Sequence, residues 1–176
     1  LIANGYSYDE RRNYTGALRH LCGLMYDGAT DPRVVKAARQ IVANVPDSDE
    51  YGMLQAIFNA VKTGCTRCPP LVNGVRYTRD PPHVDFFTKP GQLLSNCEEG
   101  ACAEDCDGMS TLAGALAIAV GFTAGLRIVA ADANSQWHDH VFTVVRFPRV
   151  GPNAKWIAMD TTVPSSVLGW APPPHP

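Results

Sequence analysis

Val34, Val35, Ala38, Ile41 and Val42 repeat apolar character at intervals of three and four residues, the spacing of a helix that buries one face. Asp31-Pro32 stands ahead of them, with the proline suited to a first helical turn, and Pro46 marks the stop. A second stripe, Met53, Leu54, Ile57, Phe58 and Val61, follows the acidic start Asp47–Glu50, runs through Lys62 and stops at Gly64. Both stripes read as core-packing faces. A third run, Met109–Phe122, carries small and apolar residues, Gly114 and Ala115 among them, and predicts a central helix from Asp105 to near Gly121. Beyond it the period changes to two. Strands are predicted at Leu126–Ala131, His140–Phe147 and Lys155–Asp160, with His140, Phe142 and Val144 sharing one face and Trp156, Ala158 and Asp160 another. Paired as antiparallel neighbours, the last two strands let His140 and Asp160 face each other across the ladder. Between Cys65 and Pro90, prolines, cysteines and the short β-prone piece Val75-Arg76-Tyr77-Thr78 predict loops with a short strand or hairpin. The class is α+β: helices first, then an antiparallel sheet packed on the central helix. No internal repeat is present. The expected organisation is one domain over 1–176, with a helical part (1–64), a Cys/Pro-rich loop region (65–104), a core (105–164) and a tail (165–176).

A chain of 176 residues, 45% hydrophobic and 18% charged, can bury a real core, which excludes wholesale disorder. A net charge of -2 gives no basic footprint for nucleic acid. The longest low-polarity run, Met109–Val120, falls short of the roughly 18–20 residues a spanning helix needs, so no membrane partner is expected. Leu1-Ile2-Ala3-Asn4 has neither a basic nor an apolar leader pattern, so no signal peptide is expected either. The tail Ala171–Pro176 is expected to fray.

Cys106 changes the picture. It stands in Glu104-Asp105-Cys106-Asp107-Gly108, where the central helix opens and unpaired N–H groups and positive potential favour a thiolate. His140 can take its proton and Asp160 can hold the imidazole, the parts of an activated thiol nucleophile for acyl transfer. Each residue has a plainer alternative. A helical cysteine is usually a small hydrophobe, although Asp105 and Asp107 argue against an apolar pocket here. His138 competes with His140 on the same strand face, but Val141–Phe147 continues His140 into a strand that would hold a base rigidly. The two histidines lack a nearby third ligand for a metal. Asp160 could cap a turn with Thr161-Thr162 instead. His20, His83 and His175 fall outside any supporting pattern and read as surface residues.

Asp105-Cys106-Asp107 before an Ala/Leu-rich helix resembles the Gly-Asp-Cys-Asp motif of transglutaminase-like proteins. His140-Val141-Phe142 resembles their His-x-aromatic strand, and Trp156-Ile157-Ala158-Met159-Asp160-Thr161-Thr162 their Trp-x-x-x-Asp-x-Thr strand. The stretch Val75–Leu94, with Tyr77, Asp80, Val84-Asp85 and Pro90, looks most like the compact versions in phage and bacterial genomes. The likeness covers about Val75–Pro164. It implies a papain-like fold, a Cys106-His140-Asp160 triad that needs no cofactor for its chemistry, and a thioester formed from an amide of a peptide or protein. With no signal peptide expected, a cytoplasmic or phage-associated setting is favoured, with a phage or bacterial assembly as a possible partner. The Cys106 N–H would be one oxyanion donor, and Tyr77 and Gln92 are candidates for the second. Glu104 stands where the family has glycine, so the loop leading to the nucleophile is built differently.

Four further cysteines form two close pairs, Cys65-x-x-Cys68 and Cys97 with Cys102. Together they have the spacing of a tetrahedral structural zinc site that would pin this loop, with disulfides or free thiols as the alternatives. The leading expectation is a peptidase or amidase rather than a protein cross-linker, because no shielded amine tunnel is visible. Two rivals stand beside it. One is a cell-wall endopeptidase of the other papain-like type, whose Asp-Cys-Ser-Gly motif resembles Asp105–Gly108 but which generally places a polar residue third. The other is a phage or bacterial structural module that keeps the fold without turnover.

Overall fold

The computed structural model describes residues 14–81, 86–130 and 139–173. Helix α1 spans Tyr14–Gly28, α2 Pro32–Val42 and α3 Glu50–Lys62. Asp31 caps α2 by accepting from the Arg33 N–H at 2.8 Å, and Asp49 caps α3 by accepting from the Gly52 N–H at 2.8 Å. Gly64, at φ 99°, stops the chain beyond α3 as its left-handed conformation requires. The two apolar stripes are buried along Val34, Ala38 and Ile41 and along Met53, Leu54, Ile57, Phe58 and Val61, as their spacing demands.

Helix α5, Cys106–Ala119, lies at the centre and is buried all round from Asp107 to Ala117. Its small residues allow close neighbours. A Cβ added at Gly114 would stand 2.2 Å from the Met25 Sδ of α1, which is itself wholly buried. Leu112 and Leu116 are fully buried too, and each such side chain contributes about 1.5–3 kcal/mol of hydrophobic stabilisation. On its other side α5 packs against a three-stranded antiparallel sheet ordered β3-β4-β5, at Ala124–Val129, His140–Phe147 and Lys155–Met159. Two bonds stitch helix to sheet. Ser110 Oγ donates to the Val141 carbonyl at 3.0 Å, and Thr143 Oγ1 donates to the Ser110 carbonyl at 2.7 Å. They fix the first turns of α5 against the first residues of β4. The α+β class and the order of helices before sheet follow the sequence expectation.

Several expectations need correction. The stretch 65–104 is not all loop, because α4 occupies Pro90–Glu98 with Leu93, Leu94 and Cys97 turned into the core. Its proline start and these apolar positions are helical signals that the cysteine- and proline-rich texture overshadowed. The short strand at Arg76–Tyr77 (β1) forms no hairpin; it pairs in parallel with Ala103–Glu104 (β2). Strand β3 begins two residues before the expected Leu126. Within the tail assigned to 165–176, Ser166, Leu168 and Pro172 are buried, and residues 174–176 of the stretch expected to fray lie outside the described residues.

The expected zinc site is also overturned. Cys65 is bonded to Cys68 and Cys97 to Cys102, each pair drawn together by a local turn, with Cys68 N–H on the Cys65 carbonyl and Gly100 N–H on the Cys97 carbonyl. A sulfur committed to a disulfide is not a thiolate, and thiolates are what zinc requires. No described helix is long and apolar enough to cross a membrane. His83, His138, His175, Val84-Asp85, Ala131 and Leu1–Asn4 lie outside the described residues.

Candidate active site

Asp105, in extended conformation, is the N-cap of α5, and its carboxylate accepts from the Asp107 N–H at 3.0 Å. This cap makes Cys106 the first residue of the helix. Cys106 is one of two free cysteines among the described residues, the other being Cys22 on α1. The Val141 N–H and the cysteine's own N–H both favour a thiolate at this sulfur, which places it beside the residue that follows His140. The stitching of Ser110 and Thr143 is what brings these two chain segments together.

His140 Nε2 lies 2.8 Å from Asp160 Oδ2. Asp160 is fully buried, and its other oxygen accepts from the Thr162 N–H at 3.0 Å and from Thr162 Oγ1 at 2.7 Å. Capping the Thr161-Thr162 turn and holding the imidazole are therefore both done by one carboxylate, one oxygen each. The pairing differs in detail from two side chains directly opposed. β4 and β5 pair Thr143 with Met159, and one further step sets Asp160 opposite Phe142, so His140 is reached diagonally. The imidazole stacks on Phe142, with centroids 6.0 Å apart and planes 27° apart. With Nε2–H committed to Asp160, the Nδ1 lone pair is left to take a proton.

Burial opposes ionisation of Asp160, but hydrogen bonds from His140 and Thr162 outweigh it and hold the carboxyl below its ordinary range. The thiol behaves otherwise. Cys106 keeps some exposed surface, yet burial of its sulfur, then repulsion from Asp105 and Asp107, pushes its pKa well up. Desolvation and the Asp105 carboxylate thus oppose the thiolate that the helix N-terminus favours.

Those carboxylates form a cluster. Oxygens of Glu104, Asp105 and Asp107 lie within 4.8 Å of one another. Burial, with repulsion from Asp105 and Asp80, raises Glu104 to about 7, against hydrogen bonds from Thr88 and the Asp105 N–H. Burial and a hydrogen bond shared with Asp105 raise Asp107 far further, and its Oδ1 is buried without a partner. Three hard oxygen donors so placed could hold a metal ion of the calcium or magnesium kind. The flanking acids were visible in the sequence; their burial was not. Glu104 folds its side chain over Gly108, where an added Cβ would stand 2.6 Å from Glu104 Oε2.

Of the two candidate oxyanion donors, Gln92 is exposed and binds Asn96 on its own helix. Tyr77, on β1, is 43% exposed; partial burial and its nearness to Cys106 raise its phenol. No protein-family model, curated protein or solved structure matches this chain.

Proposed function

We propose that this chain is a cysteine-nucleophile acyl-transfer enzyme of the transglutaminase-like, papain-like kind, acting as a hydrolase on an amide of a peptide or protein. The observation that carries the reading is the 2.8 Å His140–Asp160 bond, on a strand whose next residue, Val141, turns its N–H to the cysteine that opens a buried helix. Because the thiol pKa is raised, deprotonation belongs to the attack itself and not to a resting ion pair. His140 Nδ1 takes the thiol proton while the sulfur bonds to the carbonyl carbon, and the carbonyl electron pair moves to oxygen. The Cys106 N–H is one donor to that oxyanion. Collapse breaks the C–N bond, and the imidazolium returns its proton to the departing amine. Water then attacks the thioester with His140 as base, releasing the carboxylic acid and the free thiol. Asp160 stabilises the imidazolium in both halves.

p-Nitrophenyl acetate supplies a simple acyl donor for a test. Cys106 should be acetylated, as read by intact mass and peptide mapping, with the adduct released by hydroxylamine. His140→Ala should slow acetylation by roughly 100- to 10,000-fold, the range general-base catalysis supplies. Equal rates in wild type and His140→Ala would sink the reading. The enclosed, carboxylate-flanked thiol favours a second one, a structural module without turnover, and equal rates would move it forward.

A further inference from the structure

We infer that Lys62 is a positioning residue for Asp160, acting through Ser166. The inference rests on the triad reading above. Lys62 closes α3, far in sequence from the sheet, yet its Nζ donates to both the carbonyl and the Oγ of Ser166, the latter at 2.8 Å. Ser166 is buried, and its hydroxyl lies 2.6 Å from the Asp160 carbonyl and 2.8 Å from the Val163 carbonyl. Having accepted from Lys62, the hydroxyl keeps its single proton for these carbonyls.

A lysine at a helix end ordinarily extends its ammonium into water. Here the ammonium passes over the Phe58 ring, 5.1 Å from its centroid, and turns towards the loop that carries Asp160. Partial desolvation lowers its pKa while attraction to Asp160 raises it, so the charge is felt at the carboxylate. Two consequences follow. The backbone at Asp160 is held from behind, which fixes the aim of Oδ2 at His140. A positive charge also stands on the Asp160 side of the pair. Among the described residues, the groups that face the pair are Lys62 from α3, drawn to Asp160, and the Thr162 hydroxyl on the adjoining loop, with Asp139 next to His140 in sequence; Cys106 of α5 meets the N–H of Val141, the residue after His140, and has Asp105 and Asp107 beside it.

The test combines the acetylation rate with titration of the His140 imidazole by NMR in wild type, Lys62→Met, Lys62→Arg and Ser166→Ala. Lys62→Met should acetylate about 10-fold more slowly, the low end of losing a charged hydrogen bond. It should also raise the His140 midpoint by about half a pH unit. Lys62→Arg should restore the midpoint. Ser166→Ala should slow acetylation and leave the midpoint in place, because the charge remains. A Lys62→Met protein with wild-type rate and wild-type midpoint, whatever its melting temperature, overturns the inference. If Lys62→Met does not fold, a wild-type rate in Ser166→Ala overturns it equally. Should wild type show no His140-dependent acetylation, the enzyme reading fails, while the His140 midpoints still decide whether Lys62 acts on the pair.

Discussion

Asp160 divides its two oxygens between Thr162 and His140, and this division makes it sensitive to a single-atom change. Asp160→Asn can keep the Thr162 contact through its amide oxygen, but it presents an N–H to Nε2 and forces the other tautomer. Acetylation of Cys106 should fall on the order of 10,000-fold with near-native circular dichroism. A loss of only a few-fold would mean that the carboxylate merely caps the turn. Glu104 gives a prediction of a different kind. It binds its proton more tightly folded, near 7, than its ordinary 4.5, so folding takes up protons. Its contribution is complete below about pH 4.5 and is lost as the pH rises towards 7. Glu104→Gln, melted in chelator-containing buffer, should flatten that decline and stabilise the protein by about 1–3 kcal/mol above neutrality. An unchanged pH profile would show that Glu104 ionises freely.

At the level of elements, α5 and β4 form the frame that carries Cys106 and His140. Ser110 and Thr143 join them through two buried hydrogen bonds. Thr143→Val keeps the volume and leaves the Ser110 carbonyl without that partner, at a cost of about 1–3 kcal/mol. Urea titration would measure it, and acetylation should weaken as the first turn of α5 loosens against His140. The opposite face of α5 tests packing. Gly114→Ala drives a methyl into buried Met25 and should cost about 1–3 kcal/mol in the same titration. No cost would mean that α1 shifts freely on α5.

For the molecule as a whole, the disulfides decide how the Cys/Pro-rich part is held. Cys97–Cys102 ties the end of α4 to β2, the strand that runs directly into Asp105 and Cys106. Removing it in Cys97→Ser/Cys102→Ser should cost about 2 kcal/mol, the loop-closure value for so short a link. A variant as stable as wild type in denaturant would count against the bond.

Local chemistry was legible in the chain itself. Helical stripes, Asp and Pro starts, Gly64 and Gly121 stops and the two-residue alternation of β4 and β5 are short-range rules, and each acts within a few residues. They placed α3, α5 and the sheet within a few residues, and α2 by its start though it ends at Val42, short of Pro46, and they put Cys106, His140 and Asp160 at the start of α5, in β4 and just beyond β5. α4 was hidden because its helical signals sit in a stretch dominated by cysteine and proline. Cysteine spacing alone could not separate zinc from disulfides, since both place sulfurs close together. Tertiary structure decided how much water each charge keeps. Packing around α5 buries Asp107 and the Cys106 sulfur, which pushes the thiol up against a helix start that favours a thiolate. It also brought Lys62, more than a hundred residues away in sequence, onto the loop behind Asp160. Desolvation and long-range charge depend on what the folded chain places nearby, and no local pattern records that.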